Sequence, residues 1–179
     1  APGNWSAVCS IKEVQMGNHG TTTFYGDEQI SSATDLTFAG ASNWANAAGA
    51  NAFNAYDEEG SGVLTVTPDD DGSNRQYAVL DGANWEDSET MVAGRQYRLS
   101  YTLTVSAYTK GTLSVGFANT SHALQDVNAY TATSTSATRT LDFTYGGTTD
   151  DAEFIIDAAV SSVFTAIFDN FSLKEIGVA

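Results

Sequence analysis

Apolar and polar residues alternate along much of this chain, and the longest run lies over residues 97–105. Tyr97, Leu99, Tyr101, Leu103 and Val105 fall on one side, with Arg98, Ser100, Thr102 and Thr104 on the other. Five successive matches to a period of two predict a strand with one buried face. Shorter versions recur. Residues 63–67 alternate and stop at Pro68-Asp69-Asp70-Asp71-Gly72. That turn has its own chemistry: Pro fixes φ, Asp bonds nearby backbone and Gly accepts positive φ. Residues 75–80 follow with Tyr77 and Val79 on one side. Lys110-Gly111 turns the chain into 112–118, where Leu113, Val115 and Phe117 point inward. Residues 138–145, 152–158 and 163–176 complete the set, the first two joined by a Gly-Gly turn at 146–150. No helical period is sustained anywhere. Seven or eight short strands predict an antiparallel sandwich or barrel. A parallel α/β architecture is excluded for want of crossover helices.

The connections are less regular. Residues 39–54, around Trp44, are too rich in Ala, Asn and Gly to assign, and 81–90 form a polar link around Trp85. Residues 119–137 read as one long Ser/Thr/Ala-rich connection, either a functional loop or a plain insertion. Ahead of the sandwich, residues 1–35 hold a strand near 7–15, a Gly17-Asn18-His19-Gly20 turn, strand-like 21–25 and an irregular 26–35. The chain therefore divides into an N-terminal β-arm, 1–35, and a β-sandwich, 36–179. Cys9-Ser10-Ile11-Lys12-Glu13-Val14 nearly repeats Phe171-Ser172-Leu173-Lys174-Glu175-Ile176. A spare copy of the closing strand can pair with an open sheet edge, on its own sandwich or on a neighbour's.

Composition narrows the function classes. The net charge is −15, from 22 acidic and 7 basic residues, which disfavours nucleic acid and anionic membrane surfaces as partners. No apolar run approaches the roughly 20 residues of a spanning helix. Cys9 is the only cysteine, so an internal disulfide is impossible. His19 and His122 are the only imidazoles and sit in no catalytic motif. The acidic groups at 57–59, 69–71 and 150–151 lack the spacing of a calcium loop and read as solvated turns. Together these features predict no enzyme.

Four stretches carry a resemblance. They are Gly62-Val63-Leu64-Thr65-Val66, then Met91-Val92-Ala93-Gly94-Arg95-Gln96-Tyr97-Arg98-Leu99-Ser100-Tyr101, then Gly111-Thr112-Leu113-Ser114-Val115, and finally Phe168-Asp169-Asn170-Phe171-Ser172-Leu173-Lys174-Glu175. In this order they resemble the galactose-binding-like jelly roll of carbohydrate-binding modules, a fold that also recurs in phage structural proteins. The resemblance covers about residues 36–176. It implies an all-β, jelly-roll-like antiparallel sandwich, and by itself no single function.

Two functions follow as expectations. The leading one is a non-enzymatic virion structural protein, a capsid decoration or tail-associated subunit on the virion surface, held by capsid or neighbouring subunits through Cys9, Ser10, Ile11, Lys12, Glu13 and Val14. The alternative is an extracellular module that recognises a cell-surface or polymeric glycan. Sugar-binding modules stack pyranose rings on exposed aromatics, which implies Trp44, Trp85, Tyr108 and Tyr130, the aromatics in connections. Burial under a loop is the competing reading for each. Asp169 shares parity with Ile167, Phe171 and Leu173, so an acid is expected on an apolar face. The resemblance implies either a structural calcium there or a hydrogen-bonded strand tie; for calcium, Asp157 or backbone carbonyls near residues 36–44 are the candidates for further oxygen ligands. No other cofactor is expected.

Overall fold

The structure is a computed structural model and describes residues 25–177 except 31, 41, 58–61, 71, 82–90 and 148–152. The repeat arm, Cys9 to Val14, and Trp85 lie outside the described residues. The elements in chain order are β1 (Tyr25–Glu28), α1 (Ala33–Thr37), β2 (Ala45–Asn46), β3 (Ala55–Asp57), β4 (Leu64–Thr67), β5 (Gln76–Asp81) and β6 (Gln96–Lys110). They continue with β7 (Leu113–Ala118), β8 (Leu124–Tyr130), β9 (Ser134–Thr144), β10 (Glu153–Ala158) and β11 (Val163–Ile176). One sheet runs β3-β4-β11-β6-β9, with β1 also paired to β11; the other runs β2-β5-β10-β7-β8. All pairings are antiparallel. The expected jelly-roll-like sandwich is the observed architecture.

Alternation sets the core. Tyr97, Leu99, Tyr101, Leu103 and Val105 of β6 are buried, as the period of two predicts, and face Leu113, Val115 and Phe117 of β7. Aromatic rings fill the space between the sheets. Phe117 stacks on Phe143 with centroids 4.3 Å apart, and on Phe154 at 5.4 Å. Burying several such side chains, at about 1.5–3 kcal/mol each, supplies the main drive to fold.

Three expectations change. Residues 119–137 are not one loop: β8 covers 124–130, and β9 begins at Ser134. Both are edge strands: β8 and the start of β9, residues 134–137, bury no side chain fully and show no apolar alternation, which β9 takes up over 138–144 as the sequence predicts. The break expected after residue 35 falls inside the sandwich. β1 pairs with β11, Tyr25 opposite Ile176 and Glu28 opposite Lys174, while Ile30 and Asp35 are fully covered. Finally, Asp169 does not lie on the apolar face. The β11–β6 register slips between Asp169 and Ser172, where three residues of β11 oppose two steps of β6. Asn170 takes φ of 54° there, a left-handed value Asn tolerates. The extra residue reverses the facing, so Phe164, Ala166 and Phe168 point inward before it and Phe171 and Leu173 after it. Ile167 and Asp169 face outward.

Tight turns set the sandwich ends. Gly111 joins β6 to β7 at φ of 99°, and a Cβ there would lie 2.6 Å from Ser162 Cα. Gly111→Ala should therefore destabilise the fold by about 2 kcal/mol, through left-handed strain plus overlap with fixed backbone. Urea unfolding checks this; a midpoint equal to that of the parent protein refutes the packing described.

Candidate functional site

The outer face of the six-stranded sheet is built row by row. Asp142 of β9, Arg98 of β6, Lys174 of β11 and Glu28 of β1 stand opposite one another, and so do Thr140, Ser100 and Ser172 in the next row. Residues directly opposite share a face, so these side chains all project outward. Arg98 grips Asp142 with two bonds, Nε to Oδ1 and Nη2 to Oδ2, both 2.5 Å. Its Nη1 donates to the Tyr25 hydroxyl, and its guanidinium carbon lies 5.4 Å from the Tyr25 ring centroid. Glu28 accepts from Ser172 Oγ and the Leu173 backbone N–H, both at 2.6 Å, and from the Ile30 N–H at 3.3 Å.

These rows enclose an open depression of about 250 Å³ lined by Tyr25, Arg98, Ser100, Thr140, Ser172 and Lys174. Tyr25 is 45% exposed, one of three large apolar side chains left open to solvent among the described residues. The hydrogen bonds from Arg98 hold the Asp142 carboxyl below the usual carboxylate range, and the same pair holds the guanidinium protonated. Asp142 thus supports the groove above the unfolded carboxylate pKa and loses that role as pH falls through its lowered folded value. Both carboxylates on the rim are engaged by neighbours, which leaves hydroxyls, one aromatic ring and one ammonium facing the groove. This combination can bind a polyhydroxylated ligand; it offers no opposed pair of free carboxylates.

The outer face of the five-stranded sheet is closed instead. The turn after β7 folds back so that His122, at φ of 58°, stacks on Tyr77 with centroids 4.7 Å apart and bonds Glu153. Asn119 ties this turn, its Oδ1 accepting from the N–H groups of Ser121 and Ala123 at 3.0 Å. Arg75 crosses beneath: Nε meets Asp157 Oδ1 at 2.5 Å, Nη1 donates to His122 O at 2.7 Å, and the guanidinium lies over Tyr77. Burial raises the Asp157 pKa, and Arg75 opposes that rise.

The sequence-derived site residues are scattered. Trp44 is 3% exposed and packs on Phe154 at 4.8 Å and Phe171 at 5.2 Å, with its Nε1–H donated to Asp35 O. The Tyr108 hydroxyl donates to Gly111 O at 2.9 Å. The Tyr130 hydroxyl bonds that of Tyr101 at 2.7 Å, and Arg139 lies over its ring. All three bond the protein itself. Asp169 accepts from Asn170 N and Nδ2 at 2.6 and 2.8 Å, while Asp157 belongs to the other sheet. The structure does not bring these two acids together. Among the described residues no group of three or more His, Cys, Asp or Glu side chains could hold a metal ion.

Sequence reasoning missed two features. Asp35 is a fully buried carboxylate that accepts from Asn43 N at 2.5 Å and Nδ2 at 2.9 Å, fixing the segment before β2. The groove was half visible: alternation puts Arg98, Ser100, Ser172 and Lys174 outward, but nothing in the chain reveals that Tyr25 lies beside them.

No protein-family model and no curated protein matches the sequence. Solved structures do. The chain is similar to a family 4 carbohydrate-binding module at TM-score 0.52 and 20% identity, covering 74% of this chain and 94% of that one. It is similar to the CBM22-1 xylan-binding domain of Paenibacillus barcinonensis Xyn10C at 0.54 and 13%, covering 86% and 97%. A third is the family 11 carbohydrate-binding module of Clostridium thermocellum Lic26A-Cel5E, at 0.53 and 13%, covering 85% and 95%. At these identities the likeness shows a carbohydrate-binding-type jelly roll and nothing finer. The capsid or tail role expected from the chain draws no support from these modules.

Proposed function

We propose that this protein is a non-catalytic carbohydrate-binding module that holds a stretch of polymeric or cell-surface glycan, outside the cell, in the groove on the six-stranded sheet. One observation carries the reading: a tyrosine ring 45% exposed stands at the edge of a depression floored by the hydroxyls of Ser100, Thr140 and Ser172. Sugars have apolar ring faces and hydroxyl edges, which match these two kinds of surface. The likeness to modules that include a xylan-binding domain agrees with it. At 250 Å³ the groove falls below the roughly 300–1,000 Å³ of pockets that enclose drug-sized ligands. An open chain lying across the sheet fits better than an enclosed molecule.

An aromatic contact contributes about 0.5–1.5 kcal/mol and each neutral hydrogen bond about as much, so affinity in the high micromolar range is expected. Tyr25→Ala should weaken retention in polysaccharide-containing native gels about tenfold, whereas Tyr25→Phe should lose less. Equal mobility of Tyr25→Ala and the parent protein in every polysaccharide that retards the parent would remove the groove from the account.

A further inference from the structure

We propose that the ligand of this groove is an acidic glycan, one whose sugar ring bears a carboxylate, with that carboxylate seated on Lys174. The inference rests on the reading of the groove as a glycan site and adds the ligand class.

The chain has only 7 basic residues against 22 acidic ones, so unneutralised positive charge is scarce. Arg75, Arg95, Arg98 and Lys110 each pair with a carboxylate: Asp157, Glu175, Asp142 and Asp70. Lys174 lines the groove and forms no ion pair among the described residues, although the sheet register sets it between Arg98 and Glu28. Glu28 is directed elsewhere, both oxygens taken by Ser172, Leu173 and Ile30. Arg98 is held by Asp142 and Tyr25. The ammonium of Lys174 is thus the open charge on this wall.

An ammonium is a compact point charge with three donors and suits a single carboxylate oxygen. The distant acids that make the molecule negative are screened over about 8 Å at physiological salt, so they do not cancel an attraction made in contact. They do act against long polyanions, which favours a short run of acidic sugars. A hexuronic acid unit meets every element: its ring face against Tyr25, its hydroxyls toward Ser100, Thr140 and Ser172, its carboxylate on Lys174.

Titration calorimetry with tetragalacturonic acid, its fully methyl-esterified form, and xylotetraose tests this. The ester keeps the sugar and removes the charge. The acid should bind about tenfold more tightly than its ester, and Lys174→Gln should abolish that difference by weakening the acid far more than the ester. Lys174→Arg should keep the preference, and raising salt from about 20 to about 200 mM should weaken the acid alone. Thermal unfolding of Lys174→Gln at the parent temperature shows that the fold is intact. Equal binding of acid and ester, or an acid preference that survives Lys174→Gln, overturns the inference and leaves the glycan reading standing, provided Tyr25→Ala weakens binding. If none of the three ligands binds, the glycan reading fails and the inference with it.

Discussion

Trp44→Ala should lower the unfolding free energy by about 4 kcal/mol, the largest effect expected of any single substitution in this protein. Removing a buried indole costs its transfer free energy plus the cavity it leaves, about 3–5 kcal/mol in well-packed cores. The surroundings cannot easily collapse: Phe38, Phe154 and Phe171 all pack on this ring, and each is itself buried. The indole N–H also bonds the Asp35 carbonyl at 3.2 Å, so the variant unlatches α1 as well. Domains of this size are stable by only about 5–15 kcal/mol, so the loss should be visible as partial unfolding near physiological temperature. Trp44→Phe separates the two contributions. It retains most of the packing and leaves the carbonyl unpaired, for a cost of about 1–2 kcal/mol. Urea unfolding followed by near-ultraviolet dichroism provides the measurement. A Trp44→Ala midpoint within error of the parent would mean that the ring lies on the surface and is free to meet a ligand.

Arg75→Ala is expected to cost about 3 kcal/mol. Asp157 keeps 5% of its side-chain exposure, so without Arg75 it becomes a buried, uncompensated charge. A fully buried pair would lose about 3–5 kcal/mol; the guanidinium, 32% exposed, is partly solvated, which places the effect at the lower end. The same substitution frees His122 O and uncovers Tyr77. Asp157→Asn in the Arg75→Ala background should restore about half of the loss, because a neutral amide is cheaper to bury.

The pH dependence has a defined sign. Burial raises the Asp157 pKa above its unfolded value of 3.8, with Arg75 opposing. The folded state therefore holds this proton more tightly, and the contribution of Asp157 to stability falls as pH rises from 3.8 through the folded value. Removing Arg75 extends that window upward. The deficit of Arg75→Ala should shrink as pH is lowered toward 4, and a deficit constant from pH 7 to pH 4 would refute the assignment.

Much of the sandwich was legible because β6 and β11 bury one face and expose the other. In β6 the parity of five consecutive apolar residues leaves a single choice. The edge strand β8 and the first residues of β9, 134–137, were not legible, since a strand with little to bury has no need to alternate; the rest of β9, around Leu141 and Phe143, alternates and was. The bulge at Asn170 defeated parity itself. One extra residue sends Asp169 outward, and the sequence around it shows only an Asn able to adopt positive φ, as many Asn residues can. Trp44 shows the same limit from the other side. Its neighbours are small and polar, which suggests a surface loop, yet it directly precedes β2 and its indole is buried among Phe38, Phe154 and Phe171.

The sequence alone determined which side of β6, and of β11 beyond Asn170, faces water, because alternation is a local property of consecutive residues. That already placed Arg98, Ser100, Ser172 and Lys174 on solvent-facing sides. Only the tertiary structure decided that they share one groove with Tyr25, because antiparallel register joins residues far apart in the chain. It also decided which charges remain open: pairing with Asp142 or Asp157 depends on contacts across strands, and no local pattern encodes them.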